Sequence, residues 1–114
     1  MKPIAVPDAP SISAEELYQR MNNGSGVQII DVREPWEFES GTLGNVNIPL
    51  AKLAEELPRL KAMGQALVLH CNTGPRSAAA QYYLWRNGIK QVKYLAGGLE
   101  AWQGKFTAYA GNTP

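Results

Sequence analysis

Two short runs, VQIIDV at 27–32 and ALVLHC at 66–71, are apolar almost without interruption, and nothing else in the chain constrains its fold as much. A strand with one wet face alternates apolar and polar side chains. An uninterrupted run belongs to a strand covered on both faces, as in a parallel sheet with helices on either side. Helix signals fill the intervals. Ser13 before AEELYQRM has capping-box spacing to Glu16, with Leu17 and Met21 four apart on one face and a close near Asn23-Gly24. Leu50, Leu53, Leu57 and Leu60 repeat at helical spacing through LAKLAEELPRLKAMG, where Pro58 imposes a kink or a break. RSAAAQYYLWRNG reads as a further helix with Gly88 as its left-handed cap, and GGLEAW opens a short one. VNIPL, ended by Pro49, and QVKYL are extended, while REPWEFESG is a polar turn with a short helical piece after Pro35.

Strands separated by helices predict an α/β fold: an open parallel central sheet of about five strands with helices on both faces. The 114 residues suit one core. We expect a single domain over 11–104, an extended arm over 1–10 in which Pro3, Pro7 and Pro10 remove backbone donors, and a C-terminal tail over 105–114. The N-terminus lacks the apolar stretch of a signal peptide, and no later segment is long enough for a bilayer, so the expectation is a cytoplasmic protein without a membrane partner. A net charge of +1 carries no basic excess of the kind that tracks phosphate backbones, so nucleic acid is not an expected partner. In such sheets ligands sit beyond the carboxyl ends of strands, where the chain order switches direction. Asp31-Val32-Arg33 and His70-Cys71 both occur where strands run out.

The segment LHCNTGPRSAAA at 69–80 carries the only cysteine and the only histidine. Cys71 therefore has no internal disulfide partner, and two such residues are too few for a four-ligand zinc site. An isolated cytosolic cysteine is commonly buried and inert. Here, however, a strand, a loop with Gly74 and a helix from about Arg76 turn backbone N–H groups inward and aim a helix N-terminus at the sulfur. A free thiol, with a pKa near ~8.5, is only slightly ionised at neutral pH, and such donors favour the thiolate. Cys71 is thus expected to be a nucleophile. His70 is no base for it: along ALVLHC, Leu67, Leu69 and Cys71 share one side, while Val68 and His70 point to the other. His70 is expected to be structural, hydrogen-bonded under the loop. The chemistry left is a cradled thiolate that needs no separate base, attacking either sulfur or phosphorus.

IDVREPWEFESGTLGNVNIPL, the loop CNTGPRS and YLAGGLEAW together resemble the rhodanese family of single-domain sulfurtransferases, in the right order over about 11–102. The resemblance implies that Cys71 takes sulfane sulfur from a donor such as thiosulfate, releasing sulfite, and holds it as a persulfide. The persulfide then passes to a thiol or cyanide. Asn72, Thr73, Gly74, Pro75, Arg76 and Ser77 would form the loop that binds it. Neither a metal nor an organic cofactor is implied. The partners would be the small donor and acceptor, or a thioredoxin-like or sulfur-relay protein, with the chain a monomer or homodimer. Alternatives are a phosphatase of the Cdc25 type or an arsenate reductase, and a non-catalytic relay module that docks a partner around Trp36. Cys71 to Arg76 makes a six-residue loop, one fewer than in those phosphatases, which favours sulfur.

The supporting residues follow. Asp31 is expected to accept hydrogen bonds from loop backbone or from Arg33. Arg33 is either the partner of Asp31 or Glu37, or part of an anion-attracting mouth. Arg76 is the charge expected to draw in an anionic donor. Trp36, Phe38, Trp85 and Trp102 are assigned to core and rim packing, and Gly97-Gly98 to close backbone approach. The chain also departs from the family pattern. Gly41-Thr42-Leu43-Gly44-Asn45 stands where members often read GHIPGA, with a threonine for the histidine and one residue fewer. Asn72 and Thr73 are neutral where many thiosulfate-using members carry cations. An organic persulfide, a polysulfide or a protein-bound persulfide is then the alternative donor.

Overall fold

The apolar runs at 27–32 and 66–71 supply the centre of a five-stranded parallel sheet in the computed structural model, which describes residues 10–24 and 26–106. The elements in chain order are β1 (Ser11–Ile12), α1 (Ala14–Asn22), β2 (Gln28–Asp31), α2 (Pro35–Glu39), β3 (Val46–Asn47), a 3-10 turn (Leu50–Lys52), α3 (Leu57–Ala62), β4 (Leu67–His70), α4 (Pro75–Arg86), β5 (Val92–Leu95) and α5 (Gly98–Lys105). Across the sheet the order is β1-β5-β4-β2-β3, every pair parallel. Helices cover both faces, as expected. On one, Ile30, Leu67, Leu69 and Cys71 pack against Leu53, Leu60 and Leu84 from the turn, α3 and α4. On the other, Ile29 and Val68 pack against Leu17 of α1 and Leu99 and Trp102 of α5.

One element differs from the sequence reading. β1 escaped it: two residues are too few for a period, and their pairing with Tyr94 and Leu95 of β5 comes from the sheet edge. Of the two outcomes expected at Pro58, a kink or a break, the leucine-rich stretch shows the break. Pro58 sits in the first turn of α3, where its missing N–H leaves no intrahelical bond unmade, and the residues before it form the separate 3-10 turn. The caps match. The Ser13 hydroxyl accepts from the Glu16 N–H at 3.1 Å, and Gly88, at φ +96°, ends α4 while the Ile89 N–H donates to Leu84 C=O.

Trp102 is fully buried, and Phe106 stacks on Tyr18 at 4.4 Å between ring centres. Trp36 corrects its packing assignment, being 69% exposed. α2 has five residues and turns Glu37 inward, which leaves the adjacent Trp36 about 100° around the helix, facing solvent. Trp85 is also partly exposed, with the Lys90 ammonium 4.0 Å over its ring. Apart from Pro10, Lys105 and Phe106, the expected arm and tail lie outside the described residues. Among the described residues, no helix is long and apolar enough to cross a membrane.

Candidate active site

β2 and β4 lie side by side with Asp31 opposite His70, and the Val32 N–H donates to His70 C=O at 3.0 Å. From β2 the chain goes on to β3 on one side; from β4 it goes on to β5 on the other. Their carboxyl ends therefore flank the switch point of the sheet, where diverging connections leave a crevice. Cys71 follows β4 directly and is 1% exposed, lying at the floor of the loop beneath exposed Asn72 and Thr73.

The backbone amides of Gly74 and Ser77 point at Cys71 Sγ, at 3.1 and 3.3 Å, and the Ser77 hydroxyl lies 3.4 Å from the sulfur. That hydroxyl is anchored by donating to Gly74 C=O at 3.0 Å. Gly74 makes the turn possible at φ +126°, a conformation that side-chain-bearing residues rarely adopt. The loop is also held from behind. The N–H groups of Leu99 and Glu100, in the first turn of α5, donate to the carbonyls of Cys71 and Asn72, both at 2.9 Å. These carbonyls are drawn away from the loop interior. Burial pushes the Cys71 thiol up, but the Ser77 hydroxyl and the amides of Ser77, Gly74 and Arg76 outweigh it, so the pKa lies below that of an ordinary cysteine. Ser77→Ala should move the pKa back up, seen as a higher midpoint in the pH dependence of iodoacetamide alkylation. Losing the bond to Gly74 should cost about 1 kcal/mol of stability as well.

Around this cradle lie two guanidinium groups, each paired with a carboxylate. Arg33 is 4% exposed and belongs to the frame, so its alternative place in an anion-attracting mouth is corrected. Its Nε donates to both Asp31 oxygens at 3.0 and 3.1 Å, and its Nη2 to Asp31 Oδ2 at 2.8 Å and the Gly41 carbonyl at 2.7 Å. Nη1 donates to Asn72 Oδ1 at 2.8 Å, tying β2 to the cysteine loop. Burial raises the Asp31 carboxyl, but Arg33, His70 and Thr42 together bring it below its usual value.

Arg76 is also not a free charge. Its Nη1 and Nη2 donate to the two oxygens of Glu37 at 2.8 and 3.0 Å, a bidentate pair. The Arg76 hydrogen bonds, helped by the Glu34 N–H, overcome desolvation and hold Glu37 down to about 2. Glu37 accepts from the Asn72 side-chain amide at 3.2 Å too, so Asn72 bridges Arg33 and Glu37.

His70 points away from the sulfur, as alternation requires. It is fully buried, and burial lowers its pKa despite Asp31 nearby. The Leu43 N–H donates to Nε2 at 3.3 Å, which puts the ring hydrogen on Nδ1. The Thr42 hydroxyl lies 3.1 Å from Nε2, donates to Asp31 Oδ2 at 2.8 Å and accepts from Gly44 N–H at 2.9 Å. Threonine in the usual histidine position thus stitches the shortened loop onto β2 and β4. The sequence reading missed two partners, Thr42 and the Arg76 contact of Glu37; the latter spans 39 positions, beyond any local pattern.

A cavity of about 190 Å³, lined by Arg20, Leu67, Lys90 and Val92 among others, opens at the amino ends of β4 and β5. It lies at the opposite end of the sheet from Cys71 and has no thiol, hydroxyl or carboxylate in its lining. Among the described residues, no cluster of three or more His, Cys, Asp or Glu side chains is placed to hold a metal ion.

The family model of the rhodanese-like domain matches residues 13–105. The protein YqhL of Bacillus subtilis (strain 168) is 40% identical over 82 residues, covering 71% of this chain and 64% of YqhL. This chain spans between 22% and 64% of the length of such curated relatives. A rhodanese-related protein from Thermoplasma volcanium superposes with a TM-score of 0.76 at 31% identity, over 89% of this chain and 95% of that one. The human single-domain sulfurtransferase TSTD1 gives 0.75 at 26% identity, over 86% of this chain and 98% of that one.

Proposed function

Since the chain belongs to the rhodanese-like domain family, we propose that it is a sulfurtransferase whose Cys71 carries the transferred sulfur as a persulfide. The observation that carries the reading is the convergence of the Gly74 and Ser77 amides on Sγ, at 3.1 and 3.3 Å. Fixed N–H dipoles in a buried loop stabilise an anionic sulfur without reorganising, as an oxyanion hole does for oxygen. In the loading step the Cys71 thiolate attacks the sulfane sulfur of the donor. A new S–S bond forms as the donor's S–S bond breaks, and the leaving group departs with the electron pair, as sulfite from thiosulfate or as a thiolate from an organic persulfide. In the unloading step a thiolate or cyanide attacks the outer sulfur, and Cys71 leaves as the thiolate. No proton must be removed at the moment of attack, which suits a site whose one histidine faces elsewhere. The acceptor is then a small thiol, cyanide or a thioredoxin-like protein.

The six-residue loop and the carboxylate already clamped on Arg76 both favour sulfur over phosphate, since a phosphatase needs that guanidinium for phosphate oxygens. Incubation with thiosulfate or an organic persulfide should add the mass of one sulfur atom to the intact protein, and Cys71→Ser should add none. Release of phosphate from an aryl phosphate, with no sulfur uptake from either donor, would replace this reading with phosphoryl transfer.

A further inference from the structure

Every guanidinium that touches the cysteine loop is already neutralised. Arg33 is buried against Asp31, with a shortest contact of 2.8 Å, and its remaining contacts run to carbonyls and to Asn72. Arg76 projects from the loop itself and is partly exposed, yet both of its terminal nitrogens engage the Glu37 carboxylate. Glu37 is itself nearly buried and held by two further donors, the Glu34 N–H and the Asn72 side-chain amide. It is therefore a fixed negative charge and does not swing away cheaply. The two residues exposed above the thiol, Asn72 and Thr73, bring no charge. Two positive and two negative groups cancel, so the ionised thiol leaves the surroundings of the reacting sulfur with a net negative charge. Thiosulfate approaches as a dianion and meets repulsion that neither Arg33 nor Arg76, each already paired with a carboxylate, is free to offset; a donor with one charge or none meets much less.

We infer that Glu37 determines the charge class of the sulfur donor: by clamping Arg76 it disfavours dianionic thiosulfate and selects organic persulfides, whose sulfane sulfur is bonded to a carbon-bearing thiol sulfur. The inference rests on the persulfide reading of Cys71. For such a donor the step balances as the Cys71 thiolate plus RSSH giving Cys71-SSH plus RS⁻. The terminal sulfur moves, the donor S–S bond breaks, and the thiolate leaves with the electron pair. Glu37 touches neither sulfur. It acts through Arg76, as a positioning and specificity residue.

The test compares the second-order rate constant for sulfur loading at Cys71, by rapid quench and intact mass, with thiosulfate and with the persulfide of 2-mercaptoethanol. In Glu37→Gln the ratio of the thiosulfate constant to the persulfide constant should rise about tenfold, within the range that local charge has on encounter rates. A purely structural lesion would slow both donors and leave the ratio unchanged. In the parent protein, loading from thiosulfate should accelerate as ionic strength rises, because salt screens repulsion between like charges. The acceleration should flatten in Glu37→Gln. If that variant does not fold, the salt dependence of the parent decides alone. Loading from thiosulfate that slows with salt, or a ratio that stays the same or falls in the variant, overturns the inference and leaves the persulfide reading standing. Absence of loading from both donors overturns both.

Discussion

A Gly98→Ala protein should melt far below the parent, and its Cys71 should alkylate more slowly. A Cβ at position 98 would lie 2.5 Å from both C and O of Asn72 and 2.6 Å from the Cys71 carbonyl oxygen, all of them backbone atoms that cannot rotate aside. Gly98 also has φ +63°, which costs a residue with a side chain about 1–2 kcal/mol by itself. Relieving the overlap costs a further ~1–3 kcal/mol. The total, about 2–5 kcal/mol, corresponds to a fall in melting temperature of about 8–20 °C for a domain of this size. The chemical consequence follows from the same contact. To make room, the first turn of α5 must move off the Cys71 and Asn72 carbonyls, releasing the bonds from Leu99 and Glu100 that orient the loop peptides. Alkylation of Cys71 near neutral pH should then slow toward the rate of an unstructured thiol. Calorimetry and iodoacetamide kinetics on one preparation read both effects, and an unchanged alkylation rate would show that α5 does not hold the cradle open.

Asp31→Asn should be similarly severe, for an electrostatic reason. Asp31 is fully buried and receives the Arg33 backbone N–H, its Nε and Nη2, and the Thr42 hydroxyl. Removing the carboxylate charge leaves the Arg33 guanidinium buried and uncompensated, a lesion that typically costs ~3–5 kcal/mol. It also loosens the hold of Arg33 on Asn72. Acid provides an independent readout. Asp31 has a folded pKa below its usual value, and Glu37 is held down to about 2, so both release stabilisation as pH falls. Their contribution is fully present above the unfolded carboxyl pKa of ~4 and is lost as pH drops through the folded values. The parent should therefore lose stability steeply below about pH 4. Asp31→Asn should start lower at neutral pH and fall less on acidification. Denaturant midpoints across pH check this; parallel curves for the two proteins would show that Asp31 is not ionised in the folded state.

How much of this site the sequence announced depends on how far apart the partners lie in the chain. Cys71, its glycine turn and the helix that follows are contiguous, so a strand-loop-helix pattern sufficed to expect inward amides. The opposite orientation of His70 followed from strand alternation alone. Gly97-Gly98 was legible as a point of close approach, though not what it approaches, because its contacts with Cys71 and Asn72 come from a different strand connection. Trp36 sits beside a turn and a short helix, where an aromatic is expected to anchor the packing, yet it faces solvent. A helix as short as α2 can turn one face inward, and Glu37 holds that face.

The charge state around the sulfur was the least legible feature. From the sequence, Arg76 read as an attractant, since a cation beside a thiolate and six residues into an anion-binding loop has no visible local partner. Its partner lies on α2, and the two meet only because β2 and β4 pair in register and deliver their following segments to the same crevice. Apolar periodicity, turn chemistry and the single cysteine are local properties, and they determined the α/β architecture, the location of the cysteine loop and the side from which the thiol faces. Pairings between distant charges, and the edge strand of two residues, carry no local periodic signal; only the packed sheet decided them, by bringing remote segments within hydrogen-bonding distance.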